Sequence, residues 1–152
     1  MPEEATNGIT YSSVYRHSVD DKRRVSVPFR WRPSEPTEFT LVVWPQHRAG
    51  TCLRVLPPAQ WVKLRAEIDA MANSDPNKTV LKRSIARRLI QAKLDSAGRI
   101  AIPEDMAAAA DIKTQAVLVG MLDRFEIWSP ARYTQVEGMD DALLQQALQM
   151  ME

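Results

Sequence analysis

The chain has 152 residues, 45% of them hydrophobic, enough for one compact core or two small ones sharing an interface and too little for a large multidomain assembly. Its formal net charge of +1 leaves no bulk basicity, so nucleic-acid contact has to come from local patches. A single cysteine, Cys52, and two histidines, His17 and His47, exclude an internal disulfide and give no grounds for a zinc cage or other cofactor, and a reducing cytoplasmic compartment fits.

The first twelve residues read as a flexible polar tail, with Glu3 and Glu4 where a secretion signal would carry positive charge. No apolar run approaches the roughly 20 residues of a membrane helix, so neither secretion nor membrane insertion is expected. Val14 to Val19 predicts a short strand, Asp20 to Arg23 a polar turn, and Val25 with Val27 a second strand of period two that ends at Pro28. Together they predict a β-hairpin. A second strand pair, Phe39 to Trp44 with Cys52 to Leu56, brackets a loop from Pro45 to Thr51.

Pro58 suits a first helical turn, and Trp61, Leu64, Ile68 and Met71 recur on one helix face. Asn73 to Pro76 breaks that helix; Asp75 as N-cap and Pro76 start another that runs to about Arg88, with Val80 or Leu81 and Ser84 or Ile85 facing inward. Leu89 to Leu94, the turn Asp95 to Gly98, and a strand carrying Ile100 and Ile102 then lead to Pro103, followed by the strand pair Ala116 to Gly120 and Phe125 to Trp128. Asp140 to Met151 predicts a short C-terminal helix with Leu144, Ala147, Leu148 and Met151 on one side, the Met150-Met151 end being used in packing.

The chain is an internal repeat. Ser18 to Pro28 matches Lys93 to Pro103 at an offset of 75 positions, whereas Leu53 to Trp61 matches Phe125 to Tyr133 at 72. The first copy therefore holds three extra residues, placed in the Pro45 to Thr51 loop. The expected fold class is α+β, mainly β: two tandem modules forming a pseudo-symmetric unit with intervening and C-terminal helices. The expected division is a tail over residues 1–12, a first repeat with its helix over 13–75, a basic helix with the second repeat over 76–136, and an acidic amphipathic helix over 137–152.

The duplicated Asp-x-x-x-Arg turns, Asp20 to Arg24 and Asp95 to Arg99, carry the sharpest chemical signal. One such spacing is an ordinary solvated turn; two copies with the same following strand and proline point to reuse of a functional loop. An Asp opening a turn accepts hydrogen bonds from amides ahead of it and can fix a neighbouring guanidinium in one rotamer. The fork so aimed suits guanine O6 and N7 or phosphate oxygens, which lets a two-stranded ribbon read a major groove.

Charge placement supports this reading. Around the first turn Arg16, Lys22, Arg23, Arg24, Arg30 and Arg32 face Asp20 and Asp21. From Lys78 to Arg99 seven basic residues, among them Lys82, Arg83 and Arg87, face only Asp95, while Glu137 to Glu152 has no basic residue. The helical cluster reads either as a solvated face or as secondary phosphate contacts from Lys82, Arg83 and Arg87, with Arg16 beside the first turn. Trp31, Trp44, Trp61, Phe125, Trp128 and Tyr133 read as core or subunit-interface residues. No nucleophile paired with a base, glycine-rich phosphate loop or metal spacing is present in the sequence, so neither an enzyme nor a small-molecule substrate is expected.

His17 to Pro28 and Leu94 to Pro103 resemble the two hairpins of the MraZ family of AbrB-like (SpoVT-AbrB) regulators, and Val117 to Gly120 with Phe125 to Trp128 is similar to its later block. The resemblance spans roughly Ser13 to Val136. It implies two swapped-hairpin modules in one chain, a ring-like homo-oligomer, a place on the nucleoid, and regulation by binding double-stranded DNA at promoter repeats, usually those of the division and cell-wall gene cluster. Carried over by motif, Asp20, Arg24, Asp95 and Arg99 contact DNA, with Lys22 flanking; Arg23 is counted with the first turn. Arg23 also departs from the family, which commonly has there the glycine kept as Gly98, so the shape of the first turn is left open. The alternative is a structural, antitoxin-like interaction module without specific DNA binding.

Overall fold

Each half of the chain supplies four strands: β1 (Val14–Ser18), β2 (Arg24–Ser26), β3 (Glu38–Trp44) and β4 (Cys52–Leu56) from the first, β5 (Leu89–Lys93), β6 (Arg99–Ala101), β7 (Gln115–Gly120) and β8 (Phe125–Trp128) from the second. The helices are α1 (Pro58–Asp69), α2 (Pro76–Arg87), α3 (Glu104–Ala109) and α4 (Pro130–Leu148). This computed structural model describes residues 8–45 and 47–151; Glu3, Glu4 and the rest of residues 1–7, Gln46 and Glu152 lie outside the described residues, and with them most of the expected tail.

Six strands form one antiparallel sheet in the order β1-β7-β8-β4-β3-β5, and β2 pairs with β6 in a separate two-stranded ribbon. Exchanging the halves maps this order onto itself. Val14 opposite Val119 corresponds to Leu89 opposite Val42, while β4·β8 and β2·β6 each join a strand to its own counterpart. The hairpin expected within each half is therefore a turn whose strands pair elsewhere: between β1 and β2 the isolated bridge Val19–Val25 is what remains. The ladder hydrogen bonds of β1 and β2 are satisfied by the opposite half.

The register also corrects the expected loop difference. Val42 and Val119 are equivalent at an offset of 77, Arg54 and Glu126 at 72, so the first copy is five residues longer between β3 and β4 and two shorter before β3. The net of three conceals two opposite changes.

Period-two alternation sets the core. Phe39, Leu41, Leu53, Val55, Ala116, Leu118, Phe125 and Ile127 point to one face of the large sheet, where Val25, Val27, Ile100 and Ile102 of the ribbon close over them. Trp31, on the short helical turn Phe29–Trp31, packs within 5.0–5.9 Å of the rings of Tyr11, Tyr15 and Phe125 and donates its indole N–H to Ser12 O at 3.1 Å. Burying each such side chain contributes about 1.5–3 kcal/mol. Tyr11 belongs to this core and exchanges both backbone bonds with Leu122, so the tail expected over residues 1–12 ends before it.

On the opposite face α4 lays Tyr133 and Val136 over Cys52, Val117, Val119 and Trp128. Burial, then the Glu126 carboxylate, pushes the Cys52 thiol up to about 12, so it stays protonated and inert at neutral pH.

The helices differ from expectation in four places, the first being α3, where no element is expected from the sequence. The Asp75 carboxylate accepts the Asn77 N–H as the expected cap, yet none of α1 or α2 is fully buried, and of the α2 positions expected to face inward Val80, Leu81 and Ser84 are exposed and Ile85 is half-buried. Asp140 to Met151 is not a separate helix: α4 runs unbroken from Pro130 to Leu148, because nothing between them breaks the backbone pattern strongly enough to stop it. Its end leaves the core, with Leu144, Leu148, Met150 and Met151 exposed rather than packed.

Candidate nucleic-acid interface

Both Asp-x-x-x-Arg turns close in the same way. The first carboxylate oxygen of Asp20 accepts the N–H of Lys22 at 2.9 Å and of Arg24 at 2.8 Å, and its second accepts Arg24 Nε–H at 2.8 Å. Asp95 accepts Ala97 N–H, Arg99 N–H and Arg99 Nε–H, each at 2.9 Å. Behind each carboxylate one backbone bond runs from the fourth turn residue, Arg23 or Gly98, to the Asp carbonyl. These donors favour the charged form, led in both cases by the backbone N–H of the Arg four residues on, and hold Asp20 and Asp95 below the ordinary aspartate range.

The ribbon places the two arginines together. Arg24 pairs with Ala101 and Ser26 with Arg99, so these residues share the face opposite to buried Val25 and Ile100. Arg99 Nη1 lies 3.7 Å from the Asp20 carboxylate, linking one turn to the other's arginine. With side chains about one-third exposed, Arg24 and Arg99 are held in place yet open to solvent. The result is a preorganised pair of guanidinium forks on a strip two strands wide, about 4.8 Å between strand axes.

The first turn keeps its shape without glycine. Arg23 adopts φ +58° where Gly98 adopts +77°. Its Nε–H donates to Ile102 O at 3.1 Å, so Arg23 supports the turn from within in addition to adding charge. The equivalent carbonyl of the other half, Val27 O, receives Arg32 Nε–H at 2.8 Å. A Cβ on Gly98 would stand 2.3 Å from that guanidinium.

Lys22 is exposed at the tip of the first turn and accompanies Asp20, Arg23 and Arg24. The secondary positions do not join them. Arg16 pairs with Val117, which puts it on the α4 face of the large sheet, away from the ribbon. Lys82, Arg83 and Arg87 are exposed on α2, which enters β5 at Leu89; the second turn follows the other end, Lys93. The five-residue strand between them separates these groups by about 15 Å. Conversely Arg30 and Arg32, counted by sequence with the first turn, lie by the second, because Val27 N–H bonds Gly98 O and carries the following residues there. Sequence proximity misassigns them, since the partner of β2 comes from the other half.

No group of three metal-ligating side chains occurs among the described residues. Among them, too, no helix is long and apolar enough to cross a membrane.

A family model described as "MraZ protein, putative antitoxin-like" matches residues 87–150, which include the second turn. Three proteins each named Transcriptional regulator MraZ extend the similarity over both halves. That of Alcanivorax borkumensis is 30% identical over 134 residues, 87% of this chain and 92% of the relative. That of Roseiflexus castenholzii is 31% identical over 128 residues, covering 84% and 87%. That of Shewanella frigidimarina is 29% identical over 129 residues, covering 84% and 85%. With this likeness spanning both repeats and both Asp–Arg turns, the chain belongs to the MraZ family.

Proposed function

We propose that this protein is a non-catalytic transcriptional regulator that binds double-stranded DNA through the β2·β6 ribbon. The observation that carries the reading is the presence of two matching Asp-fixed arginines on one outward strip. The name that its relatives carry, Transcriptional regulator MraZ, supports it. Arg24 and Arg99 present bidentate forks to base edges or phosphates, Asp20 and Asp95 hold them, and Lys22 and Arg23 add positive potential. A strip two strands wide fits a major groove about 12 Å across. Arg16, Lys82, Arg83 and Arg87 serve at most as contacts to DNA passing beyond the ribbon or another subunit.

In this reading residues 13–75 and 76–136 are the repeat units of the AbrB-like type. Copies assemble into a closed homo-oligomer that sets several weak ribbons on promoter repeats, those of the division and cell-wall genes by family resemblance, in the nucleoid. Two helices without a buried residue and the exposed apolar end of α4 supply surface for such assembly.

The test is fluorescence anisotropy with a duplex from upstream of the protein's own gene and a scrambled duplex, across a salt series. The expected result is selective binding that weakens steeply with salt, and its loss by tenfold or more in a folded Arg24→Ala variant. Equal binding to both duplexes would instead favour an interaction module without specific DNA binding, a reading to which the words antitoxin-like in the family description lend support.

A further inference from the structure

The ends of the ribbon differ, and the difference lies in residues that neither turn contains. Val27 N–H bonds Gly98 O, and Ile102 N–H bonds Arg23 O. The chain leaving β2 therefore forms a shoulder beside the second turn, and the chain leaving β6 forms one beside the first. The shoulder at the second turn is Phe29-Arg30-Trp31-Arg32; the one at the first begins Glu104-Asp105.

Phe29 is 82% exposed, an unusual setting for a large aromatic side chain next to a well-packed core. Its neighbour Trp31 takes the buried position of the same short helical turn, which leaves Phe29 and Arg30 on the solvent side. Arg32 fixes the shoulder to the second turn: its guanidinium lies against the Gly98 backbone and 5.7 Å from the centre of the Phe29 ring. At this end Arg30, Arg32, Lys93 and Arg99 stand with the carboxylates of Asp95 and Glu35, and Arg99 also reaches Asp20 of the other turn. At the other, Lys22, Arg23 and Arg24 face Asp20 and Asp21 and the exposed shoulder carboxylates Glu104 and Asp105. One end is net positive and carries an exposed aromatic ring; the other is net negative.

We infer that Phe29 and Arg30 form a further DNA-contacting element, present at the second turn alone, which gives the ribbon a direction on its target. The inference rests on the DNA-binding reading above. Arg30 meets a backbone phosphate next to the bases read by Arg99, and the Phe29 ring packs against the adjoining sugar or a thymine methyl. The acidic shoulder repels phosphate, so DNA continues past the ribbon on the Phe29 side. A nearly two-fold protein thereby binds a site that need not be a palindrome.

The experiment uses the full chain and the duplex from upstream of its own gene, by anisotropy across a salt series, with thermal melting to verify folding. Arg30→Ala should weaken binding about tenfold and reduce the salt slope by roughly one, as expected for one lost phosphate contact. Phe29→Ala should weaken it threefold to tenfold at unchanged slope, since no charge is removed. Glu104→Gln should cost nothing. Wild-type affinity in both Phe29→Ala and Arg30→Ala, with Arg99→Ala strongly impaired, overturns the shoulder and leaves the ribbon standing. Wild-type affinity in Arg99→Ala and Arg24→Ala as well overturns both.

Discussion

At the first turn Arg23 sits at φ +58° and its own guanidinium reaches Ile102 O; at the second Gly98 sits at +77° and the matching carbonyl, Val27 O, takes a guanidinium from Arg32. The position equivalent to Arg32 is the buried Ala107, which has nothing to donate. What the two halves share is thus a satisfied carbonyl behind each turn, and the residue that satisfies it varies. Where the donor comes from the shoulder, the turn must be glycine to admit it. Where the shoulder has alanine, the turn itself supplies the arginine and accepts a left-handed backbone at a cost of roughly 1–2 kcal/mol.

That coupling can be broken most severely at Gly98. Gly98→Arg introduces left-handed strain and displaces Arg32 from Val27 O, and a loss of about 2–4 kcal/mol is expected in urea unfolding. Adding Arg32→Ala should restore at least half of it, because the pair then copies the solution of the first turn; additive losses would show that the carbonyls are not the shared constraint.

A smaller effect is expected from the first turn. Arg23→Ala keeps the strained backbone and loses the bond to Ile102 O, for about 1–2 kcal/mol. Arg23→Gly loses the same bond but relieves the strain, so its midpoint should lie closer to wild type. The opposite ranking would mean that Arg23 contributes nothing behind its own turn.

The smallest effect is on pH dependence, where the two turns should behave alike. Both carboxyls titrate below the ordinary aspartate range when folded, so the folded state favours their charged form. Their contribution is present in full above the unfolded aspartate value near 3.9 and is lost as pH falls through the depressed one. Acid unfolding followed by circular dichroism should therefore begin at higher pH in Asp20→Asn and in Asp95→Asn, by similar amounts, while the deficit in stability relative to wild type stays constant between pH 6 and 8. A clear difference between the variants would single out the extra contact of Asp20 with Arg99.

Much of this was legible in the sequence, for local reasons. The repeat, the strand positions, the Asp75 cap and the two Asp–Arg turns follow from alternation and turn chemistry, which operate over a few residues. What was not legible depends on which strand meets which. Chain order groups Arg30 and Arg32 with Asp20, yet pairing of β2 with β6 delivers them to Asp95. The three-residue offset points to one loop because a sum of opposite changes looks like one change. Phe29 carried no signal as a single aromatic after a proline, and only its exposure beside Gly98 singles it out. Of the inward face expected for α2 only Ile85 is half-buried, since an apolar stripe tells that a helix has a partner and not whether the partner is in the same chain.

The exchange of edge strands also sets an order in time. On the ribosome β1 emerges well before its pairing partner β7, which lies about 105 residues later, Val14 against Val119. At 5–20 residues per second β1 waits roughly 5–20 s for it. By contrast β5 emerges with β3 already made, Leu89 against Val42. Two strands that are equivalent in the finished sheet thus have unequal histories, and during synthesis β1 is the unpaired strand that a chaperone would find.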